Sequence, residues 1–173
     1  MSRQYIWGHY IDELLRIRTI YADGTFEDSF PLCDQMYCPV ALTDDQGNII
    51  EAYDVDAYGN TLMYNAAGTG TGNDAWFADN AYRTYTPRNE FIFTGRRYDP
   101  ETELYYCRRR TLNPQMGRYL QRDPQGYADG MGMYQYGMSN PLTKLDPSGE
   151  LPIFLLLGLF ATGYGSGQAA LGA

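Results

Sequence analysis

Two aspartates in this sequence, Asp123 and Asp146, each open an Asp-Pro-x-Gly tetrapeptide. Two carboxyl groups held close together can act as base and acid in the hydrolysis of a peptide bond, because their mutual repulsion favours a state with one proton between them. On the residues alone the pair is at most a candidate for aspartyl-type hydrolysis of a peptide bond, and it does not indicate a metabolic enzyme. An Asp before Pro also caps turns routinely, so a purely structural role for both residues stays open.

Three further residues near this pair are candidates for supporting roles. Arg122 directly precedes Asp123 and is the candidate charge partner of the carboxylates, whereas Arg118 is expected to be structural. Asp129 is the alternative carboxylate if one of the two aspartates is not used.

The sequence offers little for other kinds of catalysis or for ligand binding. His9 is the single histidine, so Ser-His-Asp and Cys-His arrangements are not expected. Cys33, Cys38 and Cys107 are too few for a disulfide framework and lack the histidines of a usual zinc site. We expect free, buried thiols, with a Cys33–Cys38 disulfide as the alternative. The glycine-rich string at 68–72 lacks the Lys-Ser/Thr of a phosphate-binding loop, and we predict neither a metal nor a cofactor.

The charge balance of the chain bears on its partners. Its net charge is −8, whereas a nucleic-acid-binding protein needs a basic face for the phosphates, so we predict no nucleic-acid partner. The run Arg108–Arg110 is a local exception. In an extended strand these side chains alternate between faces, so we predict ion pairs with nearby carboxylates and not a phosphate track.

The elements that have to position these residues are predicted to be short antiparallel strands. The chain has 17 Tyr, 19 Gly and 9 Pro; Tyr favours half-buried strands, and Gly and Pro favour turns. Turns are predicted at 22–25, 44–48, 57–60, 99–102, 113–117, 123–126, 139–141 and 146–149. Strands are predicted on both sides of the first turn and at 40–43, 49–56, 61–64, 91–94 and 104–106. The prediction is a mostly β fold of antiparallel hairpins or a meander, with helix only within 10–18 and in an apolar tail.

Several motifs occur in the order found in a known family. Residues 93–106 (FTGRRYDPETELYY) resemble the opening of the Rhs-repeat-associated core domain, and 117–127 (GRYLQRDPQGY) resemble that family's GRF-x-x-x-DP-x-G motif. The segments at 133–136, 140–141 and 146–149 complete the pattern, and 47–60 are similar to YD repeats. The pattern departs from the family at Asn113, at Thr111-Leu112 and at Glu150, where members usually have Asp, two aromatics and Leu.

The resemblance implies that the chain is the terminal part of a YD-repeat β-shell. In that family β-hairpins coil into a hollow shell around a C-terminal toxin, and the core domain closes one end. The implied partners are the remainder of the shell or an enclosed C-terminal toxin segment. The implied cut lies just after the second DP-x-G motif, near Gly149, Glu150 and Leu151, with Asp123 and Asp146 as the catalytic pair. The family is secreted or found at the cell surface, although no signal peptide opens this sequence.

We divide the chain into four parts on this basis. They are YD-repeat-like strands (1–64), a Gly-, Thr- and Asn-rich loop (65–90), the core domain (91–149) and an apolar, Gly-rich tail (150–173) that is a truncated or remnant variable C-terminus. Membrane contact is expected only through 152–160, and an open sheet edge near the N-terminus predicts self-association. The predicted function is a shell-closing structural module with self-cleavage. A cell-surface adhesion or carbohydrate-binding module, and a non-functional fragment of a longer Rhs gene, are the alternatives.

Overall fold

The computed structural model describes residues 1–65, 88–127 and 130–150 and contains two antiparallel sheets. The first consists of β1 (Ser2–Trp7), β2 (Leu14–Ile20), β3 (Phe26–Cys33), β4 (Pro39–Thr43), β5 (Ile49–Val55) and β6 (Thr61–Asn65). The second consists of β7 (Arg97–Asp99), β8 (Leu104–Cys107), β9 (Arg110–Asn113) and β10 (Arg118–Tyr119). In both sheets each strand pairs with its neighbours in sequence, which confirms the predicted antiparallel β meander.

Asp-capped turns connect successive strands of the first sheet. Asp44 Oδ1 accepts hydrogen bonds from the amides two and four residues later, at 2.9 and 2.8 Å. Gly47 has a φ of 84°, a backbone conformation that favours glycine. The turns that begin at Asp34 and Asp56 repeat both carboxylate–amide bonds. Because the aspartate satisfies the backbone locally, the chain reverses within a few residues, and both predicted Gly-Asn turns are confirmed, whereas the turn at Asp34 was not predicted.

Strand β3 pairs with its two neighbours through different halves of its length. Phe26–Ser29 pair with β2, whereas Phe30–Cys33 pair with β4. Strands β2 and β4, on the two sides of β3, are therefore displaced from each other along the direction of β3. The β1–β2 connection lies against the β8–β9 connection of the second sheet, where Asp12 contacts Arg108.

Among the described residues, one hydrophobic core joins the two sheets. Its fully buried members include Ile17 and Leu42 from the first sheet and Tyr105 and Leu112 from the second. The Tyr105 hydroxyl donates to the carbonyl oxygen of Gly59 at 2.9 Å, so a side chain of the second sheet caps a turn of the first. A buried Tyr contributes a large apolar surface while its hydroxyl still needs a partner. The tyrosine-rich composition thus supplies both core volume and hydrogen bonds between the sheets.

The predicted strand at 91–94 is wrong. Phe91 forms only an isolated bridge, and Phe93–Gly95 form a 3-10 turn. Thr94 has a φ of 49°, and its amide donates to Cys38 Sγ at 3.2 Å. The contact with the β3–β4 connection turns the chain inward, and β7 begins only after this turn.

The helix alternative at 10–18 is also wrong, because β2 begins at Leu14 and pairs with both β1 and β3. The two strands expected around the turn at 22–25 are confirmed as β2 and β3. In the part of the chain that the structure describes, helical conformation is limited to 3-10 turns. No helix there is long and apolar enough to cross a membrane.

The Arg108–Arg110 run is not one continuous extended strand. Arg108 and Arg109 form the two-residue turn between β8 and β9, and Arg108 has a φ of 61°. Arg110 begins β9 opposite Cys107. The predicted ion pairs are confirmed for all three arginines: Arg108 with Asp12, Arg109 with Glu150, and Arg110 with Asp123 and Asp146.

Two segments of the predicted organisation lie outside the described residues. They are most of the Gly-, Thr- and Asn-rich loop at 65–90 and the tail from Leu151 onward, which includes the apolar stretch at 152–160. The division into four parts stays a prediction. Within the described residues, the first sheet ends at Asn65 and the second begins at Arg97.

The three cysteines are free, so the disulfide alternative is not formed. Cys38 and Cys107 are buried as predicted, whereas Cys33 is exposed at the end of β3. Burial raises the pKa of both the Cys38 and the Cys107 thiol to about 12. Desolvation and the nearby Asp34 raise the pKa of Cys33 to about 11.

We expect the thiols of the native protein to react in a fixed order with a thiol-specific reagent at about pH 8. Cys33 should react first because it is exposed, whereas Cys38 and Cys107 are buried and the reagent reaches them only when the structure opens locally. Mass spectrometry of quenched samples measures the order, and unfolding in urea should make all three react alike. Cys33→Ser should abolish the early phase; early labelling of Cys107 in the native protein would contradict its burial.

The outer edge of β1 predicts self-association of the isolated chain. Within the described residues β1 forms its ladder with β2 alone, and open edges template pairing with other chains. A Lys at Ile6 of β1, which is 39% exposed, should lower the mass measured by light scattering, because a charge on the edge opposes pairing. Met131→Lys, outside both sheets and 87% exposed, is the control with the same added charge. A monomeric wild type, or equal effects of the two variants, would refute the prediction.

Candidate functional site

The second Asp-Pro-x-Gly turn folds around its own carboxylate. Asp146 is buried, and its Oδ1 accepts hydrogen bonds from the amides of Gly149 at 2.8 Å and Glu150 at 3.1 Å. This is the turn-capping role that an Asp before Pro predicts. The carboxylate therefore lies directly at the Gly149–Glu150 peptide bond, and its second oxygen, Oδ2, is available to other partners.

The first Asp-Pro-x-Gly turn uses its aspartate in the same way. Asp123 Oδ1 accepts from the amide of Gln125 at 2.8 Å, and the Gly126 amide donates to the Asp123 carbonyl at 3.0 Å. The Asp123 amide in turn donates to the carbonyl of Met133 at 2.9 Å, which ties the turn to the following segment. The Asp123 side chain is buried, so its second oxygen also faces the protein interior.

One guanidinium group joins the two aspartates. Arg110, at the start of β9, is 3% exposed; its Nη1 lies 2.7 Å from Asp123 Oδ2 and its Nη2 lies 2.9 Å from Asp146 Oδ2. Its Nε donates to the carbonyl oxygen of Gly149 at 2.6 Å. The three nitrogens of the planar fork are thus directed at two carboxylates and one peptide carbonyl, a geometry that Arg supports and Lys does not.

Tyr119 of β10 covers this cluster. Its ring stacks on the Arg110 guanidinium, with 3.8 Å between the Arg110 Cζ and the ring centroid, and its hydroxyl donates to Asp146 Oδ2 at 2.8 Å. Burial raises the pKa of Tyr119, so the hydroxyl keeps its proton and acts as a donor. A buried cation over an aromatic face gains attraction in addition to that of its ion pairs.

Gly149 brings the peptide carbonyl within reach of Arg110. Its φ is +74°, and a Cβ at this position would overlap the carbonyl oxygen of Cys107. Only glycine permits this close approach to the β8–β9 turn. The glycine of the motif is therefore a requirement of the site and not only of the turn.

The structure brings together some of the predicted site residues and not others. Asp123, Asp146, Gly149 and Glu150 meet in one cluster, whereas Asp129 and Leu151 lie outside the described residues. The Arg122 guanidinium lies on other groups: its Nε is 2.8 Å from Met133 Sδ and its Cζ is 5.8 Å from the Tyr127 ring centroid. Arg118 is exposed on β10.

The charge partner of the two aspartates is Arg110, and sequence reasoning missed it. The position of Arg122 next to Asp123 in the sequence predicts a contact, but consecutive residues at the edge of a turn point in different directions. The arginine run at 108–110 contained the signal. Arg108 and Arg109 form the turn, and Arg110 is the first residue of the strand that follows it.

Arg110→Met should destabilise the protein by about 3–5 kcal/mol, because it leaves two buried carboxylates without a cation. Urea unfolding followed by fluorescence measures this loss. Adding Asp123→Asn and Asp146→Asn to Arg110→Met removes the unpaired charges, so the triple variant should recover part of the stability. Arg118→Met, on the exposed face of the adjacent β10, is the control and should change stability by less than about 0.5 kcal/mol. If Arg110→Met behaves like this control, the cluster is not a buried ion network.

Sequence comparison finds relatives of this chain among much longer proteins. No protein-family model matches the sequence. The chain is 32% identical over 126 residues to the tRNA(Glu)-specific nuclease WapA of Bacillus subtilis subsp. natto. The matched segment covers 70% of this chain and 5% of that protein. The chain is 40% identical over 80 residues to the toxin protein Tse5 of Pseudomonas aeruginosa, which covers 46% of this chain and 6% of Tse5. The chain thus spans about a twentieth of the length of these relatives.

Solved structures share the fold. The crystal structure of TcdB2-TccC3-Cdc42 matches with a TM-score of 0.66 and 24% identity, over 86% of this chain and 6% of that chain. The Tc holotoxin pore of Photorhabdus luminescens matches with a TM-score of 0.64 and 24% identity, over 88% of this chain and 7% of that chain. At this level of identity the structural similarity concerns the fold alone. The sequence relatives and the shared fold together are consistent with the resemblance to the Rhs family that the motifs indicate.

Proposed function

We propose that this chain is the closing module of a YD-repeat β-shell, and that it cleaves itself after its second Asp-Pro-x-Gly motif. The meander of consecutive hairpins and the fold shared with TcdB2-TccC3-Cdc42 support the shell role. Among the described residues the outer edge of β1 pairs with no further strand, which supports the remainder of the shell as a partner on that side. The segment that follows Gly149 corresponds to the enclosed segment that cleavage would release.

The observation that carries the self-cleavage proposal is the way the Gly149–Glu150 peptide bond is held. Arg110 Nε donates to the carbonyl oxygen of this bond at 2.6 Å, and Asp146 Oδ1 accepts from its amide at 3.1 Å. A buried guanidinium at a carbonyl oxygen stabilises the negative charge that develops there when a nucleophile adds to the carbon. These contacts are therefore suited to lowering the barrier to hydrolysis of this bond.

In the proposed reaction, water adds to the carbonyl carbon of Gly149 and the bond to the Glu150 nitrogen breaks. The Asp146 carboxylate, which lies at the leaving nitrogen, takes a proton from the water as it adds and then gives that proton to the nitrogen, so it neither gains nor loses a proton overall. The Asp123 carboxylate pairs with Arg110 and keeps the guanidinium charged at the carbonyl oxygen. The products are a free carboxyl group at Gly149 and a free amine at Glu150.

Glu150 is compatible with this site although the family pattern usually has Leu there. Its side chain forms an ion pair with Arg109, with 3.1 Å between Oε1 and Nη1, and so turns away from the Arg110 cluster. A cut at Glu150–Leu151 is the alternative position. The contacts on both sides of the Gly149–Glu150 bond favour the earlier position.

Intact-mass spectrometry of the purified chain tests the proposal. The wild type should convert to fragments 1–149 and 150–173. Asp123→Asn and Asp146→Asn keep the size and the turn-capping oxygen but remove the charge, so both should fold and be cut at least about a hundredfold more slowly. Asp99→Asn is the matched control, because Asp99 also precedes a proline and caps an exposed turn through the Glu101 amide at 3.1 Å. It should be cut like the wild type.

Two results would count against this proposal in different ways. A wild-type chain that stays full length over days would show that the site does not cleave. Cutting that persists in both Asn variants would show that hydrolysis occurs without the aspartate pair, and the assignment of Asp123 and Asp146 would then be wrong.

A further inference from the structure

Asp12 lies in the connection between β1 and β2, far from the Asp-Pro-x-Gly turns in sequence, yet it is 3% exposed and contacts two arginines of the second half of the chain. It forms ion pairs with Arg96 Nη1 and with Arg108 Nη2, the latter at 2.7 Å. A buried carboxylate between two guanidinium groups couples them strongly, because losing Asp12 leaves the buried Arg96 guanidinium without its ion-pair partner.

The same two arginines also hold the second Asp-Pro-x-Gly turn. Arg96 Nη2 donates to the carbonyl oxygen of Asp146 at 3.3 Å, and Arg108 Nη1 donates to the carbonyl oxygen of the next residue, Pro147. Two consecutive carbonyls of the turn are therefore bound by side chains that Asp12 orients. Arg110 binds different atoms of the same turn, the Asp146 carboxylate and the Gly149 carbonyl oxygen. The contacts of Arg96 and Arg108 therefore do not share an acceptor atom with those of Arg110.

The backbone around Asp12 leaves little freedom for this arrangement to shift. A Cβ added at Gly95, in the 3-10 turn before Arg96, would overlap the Asp12 carbonyl oxygen. The β1–β2 connection and the 3-10 turn are thus in direct backbone contact. Asp12 can reach Arg96 and Arg108 only while the β1–β2 hairpin is docked in this position.

We propose that Asp12 is a positioning residue for the Gly149–Glu150 bond: through Arg96 and Arg108 it fixes the carbonyls of Asp146 and Pro147, and so makes the cleavage site depend on docking of the β1–β2 hairpin. This inference rests on the proposed self-cleavage. It goes beyond it by assigning control of the site to the first sheet. A shell end whose first sheet is not docked would hold its cleavage turn loosely and would keep the following segment attached.

Asp12→Asn tests the inference with two measurements. The first is amide hydrogen exchange at Gly149 and Glu150, whose N–H groups are bound by Asp146 Oδ1; exchange there should quicken at least about tenfold, because a charge-assisted network that holds the turn is lost. The second is the rate of cleavage by intact mass, which should fall by a similar factor. The core amide of Tyr105 should keep wild-type protection.

Two companion variants make the result specific. Ile17→Val creates a small cavity in β2 of the same hairpin without touching the ion network, so it controls for general loosening of the sheet; its cleavage rate should stay within about twofold of wild type. Arg108→Gln removes one arm of the network at a side chain that is 33% exposed and leaves the Asp12–Arg96 pair in place. It should quicken exchange at Gly149 and Glu150, and it carries the test if Asp12→Asn does not fold.

The outcomes separate this inference from the proposed function. Wild-type protection of Gly149 and Glu150 in Asp12→Asn, or in Arg108→Gln if the former does not fold, overturns the positioning role. Quickened exchange with unchanged cleavage also overturns it. If the wild type does not cleave, the proposed self-cleavage is refuted, and so is the control of cleavage by Asp12. The exchange measurement then decides only whether Asp12 holds the second Asp-Pro-x-Gly turn.

Discussion

A buried guanidinium between two carboxylates is the interaction on which the second sheet and the two Asp-Pro-x-Gly turns depend. Removing three charges from water is costly, and the cost is offset only when every charge is paired and the remaining hydrogen-bonding groups are satisfied. Arg110 meets this condition through Asp123, Asp146 and the Gly149 carbonyl, and Tyr119 completes it. The β8–β9 turn, β10 and both Asp-Pro-x-Gly turns must all be in register before the cluster closes. Their arrangement is therefore cooperative, although each element is short.

One local device serves two different purposes in this protein. In the turn at Asp44 both carboxylate oxygens are occupied within the turn, since Oδ1 binds backbone amides and Oδ2 accepts from the Asn48 side chain at 2.9 Å. The turn at Asp56 is built in the same way. The Asp-Pro-x-Gly turns lack that asparagine, so Oδ2 of each aspartate stays available and meets Arg110. In the turns at Asp44 and Asp56 the asparagine therefore occupies the oxygen that meets Arg110 in the Asp-Pro-x-Gly turns.

The two sheets are coupled by charge as well as by the hydrophobic core. Asp12 belongs to the first sheet by position, but its partners Arg96 and Arg108 belong to the second part of the chain and bind the turn that contains Asp146. Hydrophobic contacts alone tolerate small displacements, whereas a network of buried ion pairs has one well-defined geometry. The core therefore holds the sheets together, and the ion network sets the position of the second Asp-Pro-x-Gly turn relative to the first sheet.

Most turns, the antiparallel meander and the two capping aspartates were predictable from the sequence, because each depends on interactions within a few residues. Asp-Pro-x-Gly and Gly-Asn are local signals, and the tyrosine-rich strands between them leave few alternatives. Two other predictions depended on contacts between residues that are distant in sequence. The strand predicted at 91–94 does not form because Thr94 contacts Cys38, and Arg110 takes the place predicted for Arg122 because a turn points it inward. The packing of one sheet against the other decides which carboxylate oxygen meets which guanidinium, and it also brings Asp12 into the network. These partners are distant in sequence, so only the tertiary structure brings them together.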